Sequence, residues 1–344
     1  MTLSTSGQIY RLFQVLRCWL CGIFISSGYF YSANAFCLED RNSMLTVSST
    51  VGDLVKHPSF SGFSERLLPK LTDVTQSTLS LDQVGKLMPY HSAFNPEDMI
   101  GALNRLITLR QQGQQVFHDY YSEPELNRSP DKRATGLVYY KSKPNAPFVI
   151  VVPGGGFEYV GSLHEGFPIA KAIGDSGINA FVLVYRTGQG NRVGTEDLAH
   201  AVDYITEHAD EFEVNKDHYA VWGASAGARM VANIGSKSPL AFGGRTNHRP
   251  DCVVMLYTGH TSYSPNDPPT YAVVGEKDWI ASPDVMRTRI NVLRALGIRA
   301  EFHEYPNIGH GFALGTGTPA QGWLNEALDF CTSEFNRKQP VCHL

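Results

Sequence analysis

No apolar stretch of the 344-residue chain reaches the roughly 18–20 residues of a confident membrane span. Dense Lys/Arg runs are absent too. Lys plus Arg (29) falls short of Asp plus Glu (33), so the formal charge is −4. A weakly acidic chain gives no electrostatic reason to expect a nucleic-acid partner. There are no internal repeats and no low-complexity tracts. Cysteine is sparse, with six residues. Cys18-x-x-Cys21 lies inside an apolar run, which argues against a redox motif. What remains is ordinary globular material, 42% hydrophobic and 18% charged. Its length suits one large domain or two small ones. Glycine is plentiful, at 32 residues, and many of the glycines cluster where chemistry would need them.

The first segment has the layout of a secretory signal. Arg11 and Arg17 precede an apolar run from Cys18 to Tyr31, and Ser32-Ala33-Asn34-Ala35 is a small-x-small ending. The expectation is cleavage after Ala35 and a secreted or periplasmic protein. The alternative is a membrane anchor formed by an uncleaved signal. Cys37, Cys252, Cys331 and Cys342 would then enter an oxidising compartment, where bridges are allowed. Cys252, in the apolar run DCVVMLY, reads as a buried thiol. Cys331 and Cys342 read as able to pair near the C-terminus. Connectivity does not follow from sequence.

Residues 36–113 carry no Gly-rich chemistry and read as a mainly helical N-terminal extension, a candidate lid. One strong helix is legible there. Asn95 can cap it, Pro96 suits its first position, and Glu97 and Asp98 suit the positive end of its dipole. Met99, Ile100, Leu103, Leu106 and Ile107 share a face, and Gly113 ends it. From residue 114 to 344 the pattern is a second domain. Expected strands are 114–121, 135–142, 148–152, 180–185, 218–222, 251–257, 271–275 and 300–305. Expected helices are about 164–175, 195–211, 226–236, 283–297 and 319–336. The stretch 122–132 reads as a hairpin loop joining an antiparallel pair. The rest alternates strand and helix, which predicts an α/β fold: a mostly parallel eight-stranded sheet with helices on both faces.

The chemistry centres on Gly223-Ala224-Ser225-Ala226-Gly227, a G-x-S-x-G sequence between a strand pattern and a helix pattern. Small neighbours let a serine sit in a strained turn while strand and helix pass closely. Pro153-Gly154-Gly155-Gly156-Phe157 follows the strand FVIVV. The N–H groups of Gly155, Gly156 and Ala226 are candidate oxyanion donors. No Lys-Ser/Thr follows and the spacing is not G-x-G-x-x-G, so a phosphate loop is disfavoured. A serine hydroxyl needs a base, and the base needs a carboxylate to orient it. Among twelve histidines, His310 stands in a Gly-flanked loop just after the last strand. His303 lies within that strand, His260 precedes every good acid candidate, and His343 is in the tail. Asp278 follows the strand 271–275 within three residues. Asp267, Asp284 and Glu276 are weaker candidates, Glu276 being the nearest rival. The chain order is then Ser225, Asp278, His310.

In this order, VVPGGGF, VWGASAG, VVGEKD and NIGHGF resemble the α/β-hydrolase superfamily, most of all its esterase/lipase branch. That branch includes acetyl, feruloyl and acetylxylan esterases. The resemblance covers about residues 114–336, and Asp197-Leu198 with Ala201, Val202, Tyr204 and Ile205 also fit it. Many members carry His before the three glycines, where this chain has Pro153. That favours the feruloyl-esterase-like group over the hormone-sensitive-lipase-like one. The resemblance implies a serine carboxylic-ester hydrolase acting on a small-molecule or carbohydrate ester, with no metal or cofactor. A serine exopeptidase, an acyltransferase and a non-catalytic binding protein on the same fold are the alternatives. The gap 258–270 is Pro-rich and too short for a cap helix, which points to an open pocket and a short acyl group. Phe157, Tyr159, His260 and Trp279 follow the motifs and are candidate pocket residues.

Overall fold

A computed structural model describes residues 44–69 and 78–337. The signal reading over 1–35, Cys37, Cys342 and His343 lie outside the described residues. Eight strands form one sheet: β1 (Phe117–His118), β2 (Gly136–Tyr140), β3 (Ala146–Val152), β4 (Asn179–Val184), β5 (Val214–Ala224), β6 (Cys252–Leu256), β7 (Thr270–Gly275) and β8 (Ala300–Tyr305). Their spatial order is β1-β2-β4-β3-β5-β6-β7-β8. The pairs β1/β2 and β2/β4 are antiparallel, and the remaining pairs are parallel. β2, β4 and β6 are buried along their whole length, as continuous apolar runs covered on both faces require.

The helices are α1 (Val51–Lys56), α2 (Pro96–Gln111), α3 (Glu123–Arg128), α4 (Phe167–Asp175), α5 (Gly190–Glu207), α6 (Ala209–Phe212), α7 (Ala226–Lys237), α8 (Pro283–Ala295) and α9 (Trp323–Arg337). α2 forms for the reasons legible in its sequence. Asn95 Oδ1 accepts from the N–H groups of Glu97 and Asp98, and the five apolar side chains of its expected face are buried. They join the same hydrophobic core as the sheet. The described residues belong to one compact unit.

Three expectations need correction. The stretch 122–132 is not a plain hairpin loop. It holds α3, closed by a capping box in which Ser122 and Glu125 exchange hydrogen bonds. The local side-chain bonds outweigh the turn-like composition there. The helix expected over 195–211 starts earlier, because α5 begins at Gly190. Cys252 is not a thiol. It is bonded to Cys331, 79 residues away, because α9 crosses the sheet beside β6. The pairing of Cys331 with Cys342 is thereby excluded. Closing a loop of this length contributes about 4–5 kcal/mol through the unfolded chain. Cys252→Ser with Cys331→Ser should therefore lower the melting temperature by about 10 °C. Scanning calorimetry would show this, and an unchanged melt would contradict it.

Among the described residues no helix is long and apolar enough to cross a membrane.

Candidate active site

The parallel strands β5, β7 and β8 all point the same way, and their C-terminal ends carry the three residues singled out in sequence. Ser225 follows β5 directly, at φ 50° and ψ −110°, with α7 starting at the next residue. This strained backbone exposes the hydroxyl at the top of the sheet. Gly227 makes the turn possible, because a Cβ there would lie 2.0 Å from the Val152 carbonyl oxygen. His310 is fully buried, and its Nε2 lies 2.8 Å from Ser225 Oγ. Its Nδ1 lies 2.8 Å from Asp278 Oδ2. The other oxygen of Asp278 accepts from the N–H groups of Ile280 (2.8 Å) and Ala281 (2.7 Å), which fixes the carboxylate. The rival acids lie elsewhere. Glu276 accepts from the Asn307 N–H, Asp267 pairs with Arg289, and Asp284 pairs with Arg287. His303 stacks on Tyr271 within β8. A serine, a buried imidazole and an oriented carboxylate in this chain can pass a proton from Ser225 Oγ to His310.

The glycine loop after β3 lies against the same serine. Gly155 has φ 121°, and a Cβ there would meet the Tyr159 carbonyl oxygen at 2.1 Å, so only glycine fits. Ala226 opens α7, so its N–H has no intrahelical acceptor. Ser225 N–H donates instead to the Leu256 carbonyl.

Glu165 carries no motif, yet it lies directly under this loop. Its Oε2 accepts from Gly154 N–H at 2.6 Å, and its Oε1 accepts from Tyr257 Oη at 2.9 Å. Tyr257 Oη in turn accepts from Ala313 N–H. One buried carboxyl therefore ties the exit of β3 to the exit of β6 and the loop after His310. Burial pushes its pKa up, against the opposing influence of Gly154 N–H, the nearby His310 and the Tyr257 hydroxyl. The only sequence signal was a Glu at the head of an apolar helix. Its partner Tyr257 is 92 residues distant.

The N-terminal segment reaches the site as a wall. Ser92 N–H donates to the His310 carbonyl at 2.6 Å. Tyr90 stacks on Tyr159, with centroids 5.9 Å apart. Two spaces meet at Ser225. One is a hole of about 10 Å³ bounded by Met88, Tyr90, Gly155, Tyr159, Glu165 and Ser225, among others. The other is an open cleft of about 250 Å³ whose wall includes Gly156, Phe157, Arg229, Thr258 and Ile280. Of the four candidate pocket residues, Phe157 lines the cleft and Tyr159 the hole. Trp279 is 61% exposed on the rim, its ring 6.4 Å from that of His310. His260 is buried. Desolvation and the charges of Arg289 and Arg229 lower its pKa to about 4, so it is neutral at pH 7.

The eight-stranded sheet with a serine turn after β5 is the α/β-hydrolase fold, and known structures agree. An α/β hydrolase enzyme, MGS-M1, from a Medee basin deep-sea metagenome library superposes with a TM-score of 0.52 at 22% identity, over 59% of this chain and 93% of that one. An acetyl ester-xyloside bifunctional hydrolase from Caldicellulosiruptor lactoaceticus gives 0.52 at 19% identity, over 64% and 95%. Residues 138–248 match the BD-FAE family model. The acetylxylan esterase of Xylanibacter ruminicola is 23% identical over 248 residues, 63% of this chain and 50% of that protein. Together these matches show the α/β-hydrolase fold and a similarity to esterases built on it. The chain spans half or less of the curated relatives it matches.

Proposed function

We propose that the chain is a serine carboxylic-ester hydrolase for short acyl groups, acetyl above all, carried on a small molecule or carbohydrate. The observation that carries this reading is the pair of 2.8 Å contacts linking Ser225, His310 and Asp278, opening on a hole of about 10 Å³. Space of that size holds about one water, which suits the methyl of an acetyl group and little more. The larger cleft then takes the alcohol. The relatives described as an acetylxylan esterase and an acetyl ester-xyloside hydrolase support a sugar ester in that place.

In this mechanism Ser225 Oγ attacks the ester carbonyl while His310 Nε2 takes its proton. Asp278 holds the imidazole and stabilises its cation. The N–H groups of Gly155, Gly156 and Ala226 hold the oxyanion, each worth roughly 3–4 kcal/mol in the transition state. The carbonyl then re-forms, and the alcohol leaves with the proton from His310. Water attacks the acyl-serine with His310 again as base, and the acid and free Ser225 return. Export is part of the proposal. The signal layout supports it, and so does a disulfide, which persists in oxidising compartments.

The acyl limit has a direct test. Across p-nitrophenyl acetate, butyrate and octanoate, kcat/KM should fall at least about fivefold per step, since overfilling a packed hole costs about 1–3 kcal/mol. Met88→Ala, which enlarges the hole, should raise the butyrate-to-acetate ratio. A wild-type optimum at octanoate would overturn the short-acyl assignment.

A further inference from the structure

We propose that the open cleft contains an anion subsite at Arg229, and that the alcohol part of the substrate bears a carboxylate. This rests on the esterase reading above and deepens it. Arg229 lies four residues after Ser225, in the first turn of α7, and both residues line the same cleft. It is exposed and lines the cleft. Its guanidinium rests on Gly259, where a Cβ would stand 3.4 Å from Nη2.

Its surroundings separate it from an ordinary surface arginine. It is the one formally charged side chain among the described residues lining this cleft. No carboxylate of the described residues pairs with it. Other arginines close to the site do have such partners: Arg289 holds Asp267, and Arg186 holds Asp197 and Asp131. Asp278, the acid beside His310, has a fully buried side chain turned to that imidazole. Behind the wall, Thr258 Oγ1 and His260 Nε2 are buried without a hydrogen-bond partner, which leaves Arg229 as the accessible donor.

A planar guanidinium offers two parallel N–H groups, the geometry that a carboxylate matches. The other space at Ser225, about 10 Å³, has no room for a charged group. The carboxylate therefore belongs to the leaving alcohol, as in an acylated uronic or hydroxy acid.

The test compares meta-acetoxybenzoate with phenyl acetate by pH-stat, each rate normalised to its hydroxide reaction. Wild type should favour the carboxylate ester about 10- to 100-fold in kcat/KM, the range for a hydrogen bond to a charged group. The preference should sit in KM and shrink in high salt. Arg229→Gln should bring the ratio close to unity, and Arg229→Lys should restore part of it. A wild-type ratio of one or less, or an equal ratio in Arg229→Gln, overturns the subsite while leaving the esterase reading intact. Failure of wild type on both esters overturns the two together.

Discussion

Replacing Ser225 by alanine is expected to lower kcat/KM for p-nitrophenyl acetate about ten-thousand-fold or more, the usual result of removing an activated nucleophile. The fold should not suffer. Alanine can occupy the same backbone, at φ 50° and ψ −110°, and loses only the bond to His310. The melting temperature should stay within about 2 °C of wild type, since one such bond contributes roughly 1 kcal/mol. Residual turnover would come from the oxyanion donors and binding alone. Activity within tenfold of wild type would remove Ser225 from the mechanism.

The second large effect is expected at Glu165. Glu165→Ala leaves Gly154 N–H and the Tyr257 hydroxyl buried without their acceptor. Each orphaned group costs about 1–3 kcal/mol, so the melt should fall by roughly 5–15 °C. Gly154 leads directly into Gly155 and Gly156. Loss of its anchor should therefore lower kcat, by about a hundredfold if one oxyanion donor is misplaced, with a smaller change in KM. Glu165 is thus a positioning residue. Glu165→Gln keeps the shape and one acceptor, and should recover most of both losses.

Wild type and Glu165→Gln also differ in pH dependence. Burial raises the Glu165 pKa in the native state above its unfolded value. Its native state keeps a proton that the unfolded chain releases. The associated stability is fully present below the unfolded pKa and is lost as pH rises through the native one. Glu165→Gln cannot ionise, so it should gain stability relative to wild type as pH rises from about 5 to about 9. Parallel melting curves across that range would contradict this role.

The difference between Ser225 and Glu165 shows what was legible in the sequence. Ser225, Asp278 and His310 each sit in a short loop at a strand end. Strand, turn and loop are local patterns, so chain order could single them out. The sheet was legible for the same reason: buried strands such as FVIVV are continuous apolar runs. Glu165 works through Gly154, eleven residues away, and Tyr257, 92 away. Such long-range partners leave no periodic trace. Tyr90 and Met88 reach the hole only because α2 and the segment before it dock on the sheet, which a local reading sees as a separate extension. Cys252 looked like any buried apolar residue until α9 brought Cys331 to it. At 122–132 the Ser, Asn and Pro that suggest a loop instead cap a short helix.

The central claim is that a short acyl group passes through a covalent bond to Ser225. Rapid acid quench of the enzyme with p-nitrophenyl acetate, followed by peptide mass spectrometry, tests it most directly. The expected result is an acetyl increment on the peptide spanning Ser225, absent from Ser225→Ala, with no matching octanoyl increment when p-nitrophenyl octanoate is used. Turnover without any acyl-peptide at Ser225, or acylation of another residue at the turnover rate, would contradict the account.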